Sequence, residues 1–194
     1  MKKIAITGNI ASGKSTVENF IKEKGYEVFD ADKICHFAMQ NDKKIIHKIK
    51  EVFGDITDNI GNIDRQKLGE IIFRDKYAKI TLENILHPYV KKQLQKFFLQ
   101  NSDKIFVFAS IPLLFEAKMD KIFDKIILVC ADENIRLKRI IKRNNFSKEH
   151  ATARIQAQLS QEEKMKLADF IIQNNKDIET LKCEVEKILK NLQD

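Results

Sequence analysis

Long apolar runs are absent from this 194-residue sequence, and cysteine is scarce. No stretch approaches the roughly 20 apolar residues of a membrane-spanning helix, so we expect no membrane partner. Met1-Lys2-Lys3 is followed by too few apolar residues before Gly8 for a signal peptide. The three cysteines (Cys35, Cys130 and Cys183) are odd in number and widely spaced, which favours reduced thiols over a disulfide framework or a zinc site. These features predict a cytoplasmic protein.

Concentrated basic patches and aromatic platforms are also lacking. The formal net charge is +7, and charge alone leaves nucleic acid and small polyanions such as nucleotides open as partners. The basic residues are interleaved with acidic ones, without the aromatic side chains on which single strands stack. We therefore expect no nucleic-acid partner. The length, with no repeat or linker, predicts one α/β domain that can carry inserted subdomains.

A glycine-bounded turn follows the short apolar segment Ile4-Ala5-Ile6. It reads Gly8-Asn9-Ile10-Ala11-Ser12-Gly13-Lys14-Ser15, the spacing of a phosphate-binding loop between a strand and a helix. The backbone amides of such a loop curl around an anion, and the helix N-terminus adds positive charge. Lys14 can reach the β- and γ-phosphates of a nucleotide, and Ser15 can ligate Mg²⁺.

The apolar pattern of the rest of the chain predicts alternating strands and helices. After a helix that stops at Gly25, a second strand is predicted at 26–29, and buried strands at 105–109, 126–130 and 170–172. Continuous apolar strands favour a parallel sheet that is covered on both faces. The apolar positions of residues 33–100 recur at helical spacing instead. We interpret this region as a mainly helical insertion, broken at 54–62 and at Pro88.

Two aspartates follow the second strand. Asp30 and Asp32 should lie at the carboxyl edge of the sheet, where open α/β folds bind ligands. Either could deprotonate an acceptor hydroxyl or hold a metal-bound water, and turn residues are the alternative. No acidic residue ends the strand at 105–109, where Ser110 follows. We therefore expect Ser15, phosphate oxygens, water and the aspartates to complete a Mg²⁺ site.

A basic helix is predicted to start near Glu133, capped by Asp132, with Asn144-Asn145 at its end. Arg136, Arg139 and Arg143 share one face of it and could close over a triphosphate. A solvated helix face is the alternative reading. Ser147 is a candidate cap for the next helix.

In their order along the chain, these motifs resemble those of the dephospho-CoA kinase family. The resemblance covers nearly the full length and rests on the phosphate loop at 7–16, Asp30-Ala31-Asp32, Arg65 to Gly69, Leu86-His87-Pro88, Pro112 to Glu116, Arg139 with Arg143, Ala153 to Gln158, and Ala168-Asp169 with Asn174. Asn9 and Ala11 stand where many relatives have further glycines. We expect no loss of activity from them, because amide donation by the loop survives.

The resemblance implies a P-loop NTPase fold, a three-layer α/β/α arrangement with a five-stranded parallel sheet. Within a single domain of residues 1–194, the nucleotide-binding core would comprise about 1–32, 103–137 and 165–194. An acceptor-binding insertion would cover about 33–100, and a lid about 138–164. The implied reaction transfers the γ-phosphoryl group of ATP to the ribose 3′-hydroxyl of dephospho-CoA, giving CoA and ADP. A monomer or weak homo-oligomer is expected.

The family's residue roles carry over onto matching positions. Asp32 would be the base, Lys14 and Arg139 the other catalytic residues, and Ser15 the metal ligand. ATP would contact Gly8, Ala11, Ser12, Gly13, Lys14, Ser15, Thr16, Arg139, Arg143 and Asn174. The acceptor would contact Asp32, Arg65, Leu68, His87, Pro88, Leu113, Leu114 and Glu116. The alternatives are a related kinase of another small hydroxyl or nucleotide, and a nucleotide-sensing or RNA-binding module.

Overall fold

The computed structural model describes residues 1–193, in which strands and helices alternate along the chain. The strands are β1 (Lys2–Gly8), β2 (Val28–Asp30), β3 (Phe106–Ser110), β4 (Lys125–Cys130) and β5 (Phe170–Gln173). The helices are α1 (Lys14–Glu23), α2 (Ala31–Asn41), α3 (Lys43–Phe53), α4 (Arg65–Arg74), α5 (Lys76–Gln100), α6 (Glu133–Asn144), α7 (Lys148–Gln156), α8 (Gln161–Met165) and α9 (Ile178–Asn191).

The strands form one sheet in the order β2-β3-β1-β4-β5. β1 pairs in parallel with both β3 and β4, and β4 pairs in parallel with β5. The register sets Ile6 opposite Ser110 and Gly8 opposite Val129. The predicted five-stranded sheet is thus confirmed. Its central strand, β1, ends at the carboxyl edge of the sheet, where the glycine-bounded loop begins.

The sheet is buried on both faces. Ile127 and Val129 of β4 pack in a cluster to which α1 contributes Val17 and Ile21 and α9 contributes Leu181 and Val185. Because side chains alternate along a strand, Leu128 and Cys130 point to the opposite face, and both are fully buried there. Burial on both faces therefore explains why the strands are continuously apolar, as predicted for a covered parallel sheet.

The chain forms two compact units. One comprises residues 1–29 and 101–194 and contains β1 and the glycine-bounded loop. The other, residues 30–100, contains helices α2 to α5 and has a hydrophobic core of its own, which includes Ile45, Ile49, Leu82 and Leu86. The roles assigned above to the core, the insertion and the lid stay predictions. No helix within residues 1–193 combines the length and apolar character needed to cross a bilayer.

The expected break at Pro88 is wrong, because α5 runs through it from Lys76 to Gln100. Proline at this position removes the hydrogen bond to the carbonyl of Asn84, four residues earlier. Asn84 and Pro88 are both exposed, so water can satisfy that carbonyl. The opposite side of the helix carries the buried residues Leu82, Leu86, Val90, Leu94 and Phe98. Burial of this apolar row outweighs the local cost of the proline.

Three local predictions also need correction. β3 begins at Phe106 and ends at Ser110, and Ile105 is 74% exposed. β2 covers Val28–Asp30 only. Asp132 occupies the N-cap position of α6 without capping it, because its carboxylate accepts a hydrogen bond from Asn175 instead. The stop after α1 at Gly25, with φ +85°, and the Ser147 cap of α7 are confirmed.

Candidate active site

The loop between β1 and α1 has two positions that only glycine can occupy. A Cβ on Gly8 would lie 2.5 Å from Ser12 Oγ and 2.6 Å from the carbonyl oxygen of Val129. Gly13 has φ +98°, and a Cβ there would lie 1.9 Å from Asn174 Nδ2. The loop therefore packs closely against the ends of β4 and β5. A side chain at either glycine of the motif would collide with these neighbours.

Lys14 and Ser15 open α1 directly behind the loop. Lys14 Nζ donates to Glu18 Oε1 at 2.9 Å and to Ser110 Oγ at 2.5 Å. Ser15 is exposed in the first turn, and Thr16 donates its backbone N–H to the Gly13 carbonyl. A helix N-terminus with an adjacent ammonium group and an exposed hydroxyl is suited to hold a polyphosphate.

Arg139 and Asn174 support the loop from outside. Arg139 Nη1 donates to the carbonyl oxygens of Ala11 and Ser12 at 3.3 and 3.4 Å, and its Nη2 donates to the Asn174 carbonyl at 3.0 Å. Asn174 Nδ2 donates to the Ser12 carbonyl at 2.8 Å. These hydrogen bonds fix the carbonyl groups of Ala11 and Ser12 and so hold the loop in one conformation. Contact of Arg139 and Asn174 with ATP itself stays a prediction.

The loop is also tied to the segment after α7. Asn9 Nδ2 donates to the Leu159 carbonyl at 2.9 Å, and the Ile10 backbone N–H donates to Gln158 Oε1 at 2.7 Å. Ala11, whose φ is +61°, packs with Ile10 against the buried cluster of α6 and α7. Asn9 and Ala11 therefore both contact the predicted lid.

The arginines of α6 have different environments. Arg136 is buried, and its Nε donates to the Ala131 carbonyl at 3.1 Å. The expectation that Arg136 lies on a surface facing a triphosphate is therefore wrong. Arg143 is exposed and donates to Asn144 Oδ1. Burial, followed by the positive charge of Arg143, lowers the pKa of Arg154 from its usual value. The proposed ATP contact of Arg143 is untested.

The motif after β3 holds α8 in place. Glu116 Oε1 lies 2.8 Å from Lys164 Nζ, outside hydrogen-bond geometry, and accepts a hydrogen bond from the Leu159 backbone N–H at 3.2 Å. The Lys164 side chain is fully buried. Leu114 is buried in the core, and Leu113 is half-buried. The predicted acceptor contacts of Leu113, Leu114 and Glu116 stay predictions.

In the unit of residues 30–100, the two aspartates lie at the start of α2. Asp30 caps the helix by accepting the Lys33 backbone N–H, and Asp32 is exposed in its first turn. Burial, then the charges of Asp32 and Asp30, raise the pKa of Cys35 to about 12. The N-terminus of α2 thus carries concentrated negative charge.

The other candidate acceptor contacts lie in the same unit. Arg65 Nη1 lies 3.1 Å from His36 Nδ1, and Leu68 is buried in the core of the unit. His87 is half-buried in α5, beside the exposed Pro88. Desolvation lowers the pKa of His87 from its usual value; Glu83 opposes this shift and Lys91 adds to it. The predicted contact of His87 with the acceptor, like those of Arg65, Leu68 and Pro88, is untested.

A family model described as dephospho-CoA kinase matches residues 2–180. The chain belongs to the dephospho-CoA kinase family. A dephospho-CoA kinase from Fusobacterium nucleatum is 42% identical over 190 residues, which cover 97% of each protein. The solved dephospho-CoA kinase of Campylobacter jejuni is 35% identical, with a TM-score of 0.71 over 99% of this chain and 98% of that one. A Thermus thermophilus crystal structure gives a TM-score of 0.83 at 33% identity, covering 98% and 97%.

These matches confirm the family resemblance and the three-layer α/β/α fold. Glu18, which pairs with the lysine of the phosphate loop, was not among the predicted site residues. A signal was present, because Lys14 and Glu18 are four residues apart on one helix and such positions face each other. No sequence signal pointed to Ser110 as their common partner, since strand pairing alone brings it there.

Proposed function

We propose that this protein phosphorylates the ribose 3′-hydroxyl of dephospho-CoA with ATP, giving CoA and ADP, the last step of CoA synthesis. Membership of the dephospho-CoA kinase family is the observation that carries this proposal. The glycine-bounded loop supports it independently, because its amides and Lys14 form a site for a polyphosphate. Phosphoryl transfer depends mostly on positioning and charge, and both are available at this loop.

The nucleotide-binding role belongs to residues 8–16 and their supports. The amides of the loop and the ammonium group of Lys14 bind the phosphates. Hydrogen bonds from Arg139 and Asn174 hold the carbonyl groups of Ala11 and Ser12 in the loop. Ser12 Oγ is buried and has no hydrogen-bond partner within residues 1–193. A ligand atom could supply the hydrogen bond that this buried hydroxyl lacks, which supports a binding role for the loop.

Magnesium suits the residues present, although residues 1–193 contain no cluster of three or more His, Cys, Asp or Glu side chains placed to hold a metal. Mg²⁺ keeps several waters and is often held by substrate phosphates with one or two protein oxygens. Ser15 and the phosphate oxygens would hold it, and it would neutralise charge at the β- and γ-phosphates. The structure supplies the exposed Ser15 hydroxyl for this purpose.

Asp32 is the proposed base in the unit of residues 30–100. Its carboxylate would orient the acceptor hydroxyl and accept its proton as the bond to phosphorus forms. The acceptor would be bound by Arg65, His87 and their neighbours on the same unit. The predicted lid, residues 138–164, would exclude water, which otherwise competes as the phosphoryl acceptor.

The test is incubation of the purified protein with Mg-ATP and dephospho-CoA, with CoA measured by mass spectrometry. Lys14→Ala and Asp32→Asn are the matched controls, and nucleoside monophosphates are supplied as competing acceptors. We expect CoA and stoichiometric ADP from the wild-type protein only with dephospho-CoA. Preferential phosphorylation of a nucleoside monophosphate would refute the proposed acceptor.

A further inference from the structure

Glu18 is a buried acidic residue beside the phosphate loop. It lies one turn after Lys14 on α1, and the two side chains are only 4% and 12% exposed. Its Oε1 accepts hydrogen bonds from Lys14 Nζ and from the hydroxyl of Ser110. Lys14 Nζ also donates to that hydroxyl. Three polar side chains from α1 and the end of β3 thus form a closed hydrogen-bonded triangle.

An apolar side chain would be the ordinary choice at position 18. Its neighbour Val17 and Ile21, one turn later, are fully buried in the core between the sheet and α1. A carboxylate in such a place has lost water and is tolerated only when it is paired. Stability alone therefore does not account for Glu18, since well-packed apolar residues stabilise a buried position at least as well as an ion pair.

The triangle fixes the direction of the lysine ammonium group. An ammonium group has three donors, and two of those of Lys14 are engaged by Glu18 and Ser110. The third remains for a ligand. Ser110 itself is fully buried and held by the pairing of β3 with β1, so the anchoring oxygen is rigid. β3 ends in this serine and not in an acid, and the carboxylate beside Lys14 comes from α1 instead.

We propose that Glu18, acting with Ser110, is a positioning residue that orients Lys14 for phosphoryl transfer. This inference rests on the proposed function of the loop as an ATP site. Binding of ATP in its ground state relies chiefly on the loop amides, which do not depend on Glu18. Stabilisation of the transferring phosphoryl group depends on where the ammonium charge lies. Loss of Glu18 therefore lowers kcat more than it weakens ATP binding.

The experiment compares Glu18→Met, Glu18→Gln and Ser110→Ala with the wild-type protein. Methionine fills a similar volume and is a good helix former, but it has no strong acceptor for the hydrogen bonds of Lys14 and Ser110. We expect kcat to fall about tenfold or more in Glu18→Met, with a smaller loss in Glu18→Gln, which keeps a weaker acceptor. The dissociation constant for ATP, measured without acceptor, is expected to stay within about threefold, because the amides are unchanged. Glu184→Gln breaks an exposed ion pair on α9 and serves as the control with wild-type kinetics.

A second readout does not depend on activity. The ammonium protons of Lys14 are shielded by two hydrogen bonds, so their ¹H–¹⁵N signal should be visible in the wild-type protein. Lys14→Arg assigns that signal. We expect it to broaden beyond detection in Glu18→Met and to persist in Glu184→Gln.

The outcomes separate the two proposals. A wild-type kcat in folded Glu18→Met and Ser110→Ala, or an unchanged Lys14 signal, would overturn the positioning role while leaving the kinase assignment intact. Failure of the wild-type protein to make CoA would overturn the assignment, and the Lys14 signal and ATP affinity would still test the positioning. If Glu18→Met does not fold, Glu18→Gln and Ser110→Ala give the same test.

Discussion

Asn174 donates its side-chain amide to the carbonyl of Ser12 at 2.8 Å and fills the space beside Gly13. A Cβ on Gly13 would lie 1.9 Å from that amide nitrogen. The end of β5 and the phosphate loop are therefore complementary in shape, and the missing side chain of Gly13 is what permits the hydrogen bond.

Gly13→Ala should abolish ATP binding. The added methyl group collides with Asn174, and the φ of +98° is strained for any side chain. Isothermal titration with ATP measures the effect. Gly25→Ala is the control for strain alone, because φ there is +85° and no atom of residues 1–193 lies within 4 Å of the new Cβ. It should cost about 1 kcal/mol of unfolding free energy and leave ATP affinity unchanged. Wild-type affinity in Gly13→Ala would contradict the close packing described here.

Asp32→Asn should lower kcat by about 10²-fold or more without changing ATP affinity, because it removes the proposed proton acceptor. Asp30→Asn is the matched comparison. Asp30 caps α2 through the Lys33 backbone N–H, and asparagine is an equally good cap. We expect near-wild-type turnover in Asp30→Asn, measured by coupled ADP release. Similar losses in both variants would show that the two carboxylates share one role.

Glu116→Gln should destabilise the protein by about 3 kcal/mol, because it leaves the buried ammonium group of Lys164 without a counter-charge. Urea unfolding monitored by circular dichroism measures the change. Adding Lys164→Met to Glu116→Gln removes the buried charge and should recover most of the lost stability. If the double variant is stable and its KM for dephospho-CoA is normal, Glu116 supports the fold and does not bind the acceptor. A raised KM in the stable double variant would support the predicted contact.

Thiol labelling at pH 8 should modify Cys183 and spare the other two cysteines. Burial, then the carboxylates of Asp32 and Asp30, raise the pKa of Cys35 to about 12; burial also raises the pKa of Cys130 to about 11, although Arg136 opposes the shift. The thiolate is the reactive form, and at pH 8 it is a minute fraction for both groups. Cys183 is exposed.

The same pKa shifts predict alkaline destabilisation. Because the folded-state pKa values of Cys35 and Cys130 are raised, their contribution to stability is fully present below the unfolded-state pKa near 9 and is lost as pH rises toward 11 to 12.

The thiol labelling at pH 8 is measured by mass spectrometry after iodoacetamide treatment, which counts the labelled thiols. Rapid labelling of Cys35 in the folded protein at pH 8 would contradict its raised pKa.

Local spacing was sufficient to predict the phosphate loop, the buried strands and the Ser147 cap. These features depend on residues close together in sequence, such as the four residues between Gly8 and Gly13 or the apolar run of β4. Pro88 shows where such reasoning fails. Whether Pro88 breaks α5 depends on the burial of the apolar residues of that helix and on the exposure of Asn84. Neither can be read from the residues next to the proline.

The candidate site divides in the same way. The roles of Lys14 and Ser15 were predicted from the motif alone. The choice of Asp32 over Asp30 as the base depended on the family resemblance. Arg136 and Arg139 are equivalent by helical spacing, yet one is buried on the Ala131 carbonyl and the other reaches the loop. Strand order decides which face of α6 meets the loop, and strand order could not be predicted from the residues of α6.

The bonds from Asn9 and Ile10 to residues 158 and 159 join the glycine-bounded loop to the arginine-bearing segment between β4 and β5. If the loop binds a nucleotide as proposed, any linkage between that binding and the anchoring of the segment acts with the same free energy in both directions. A substitution of Gln158 that loosens its anchor is then expected to alter nucleotide affinity.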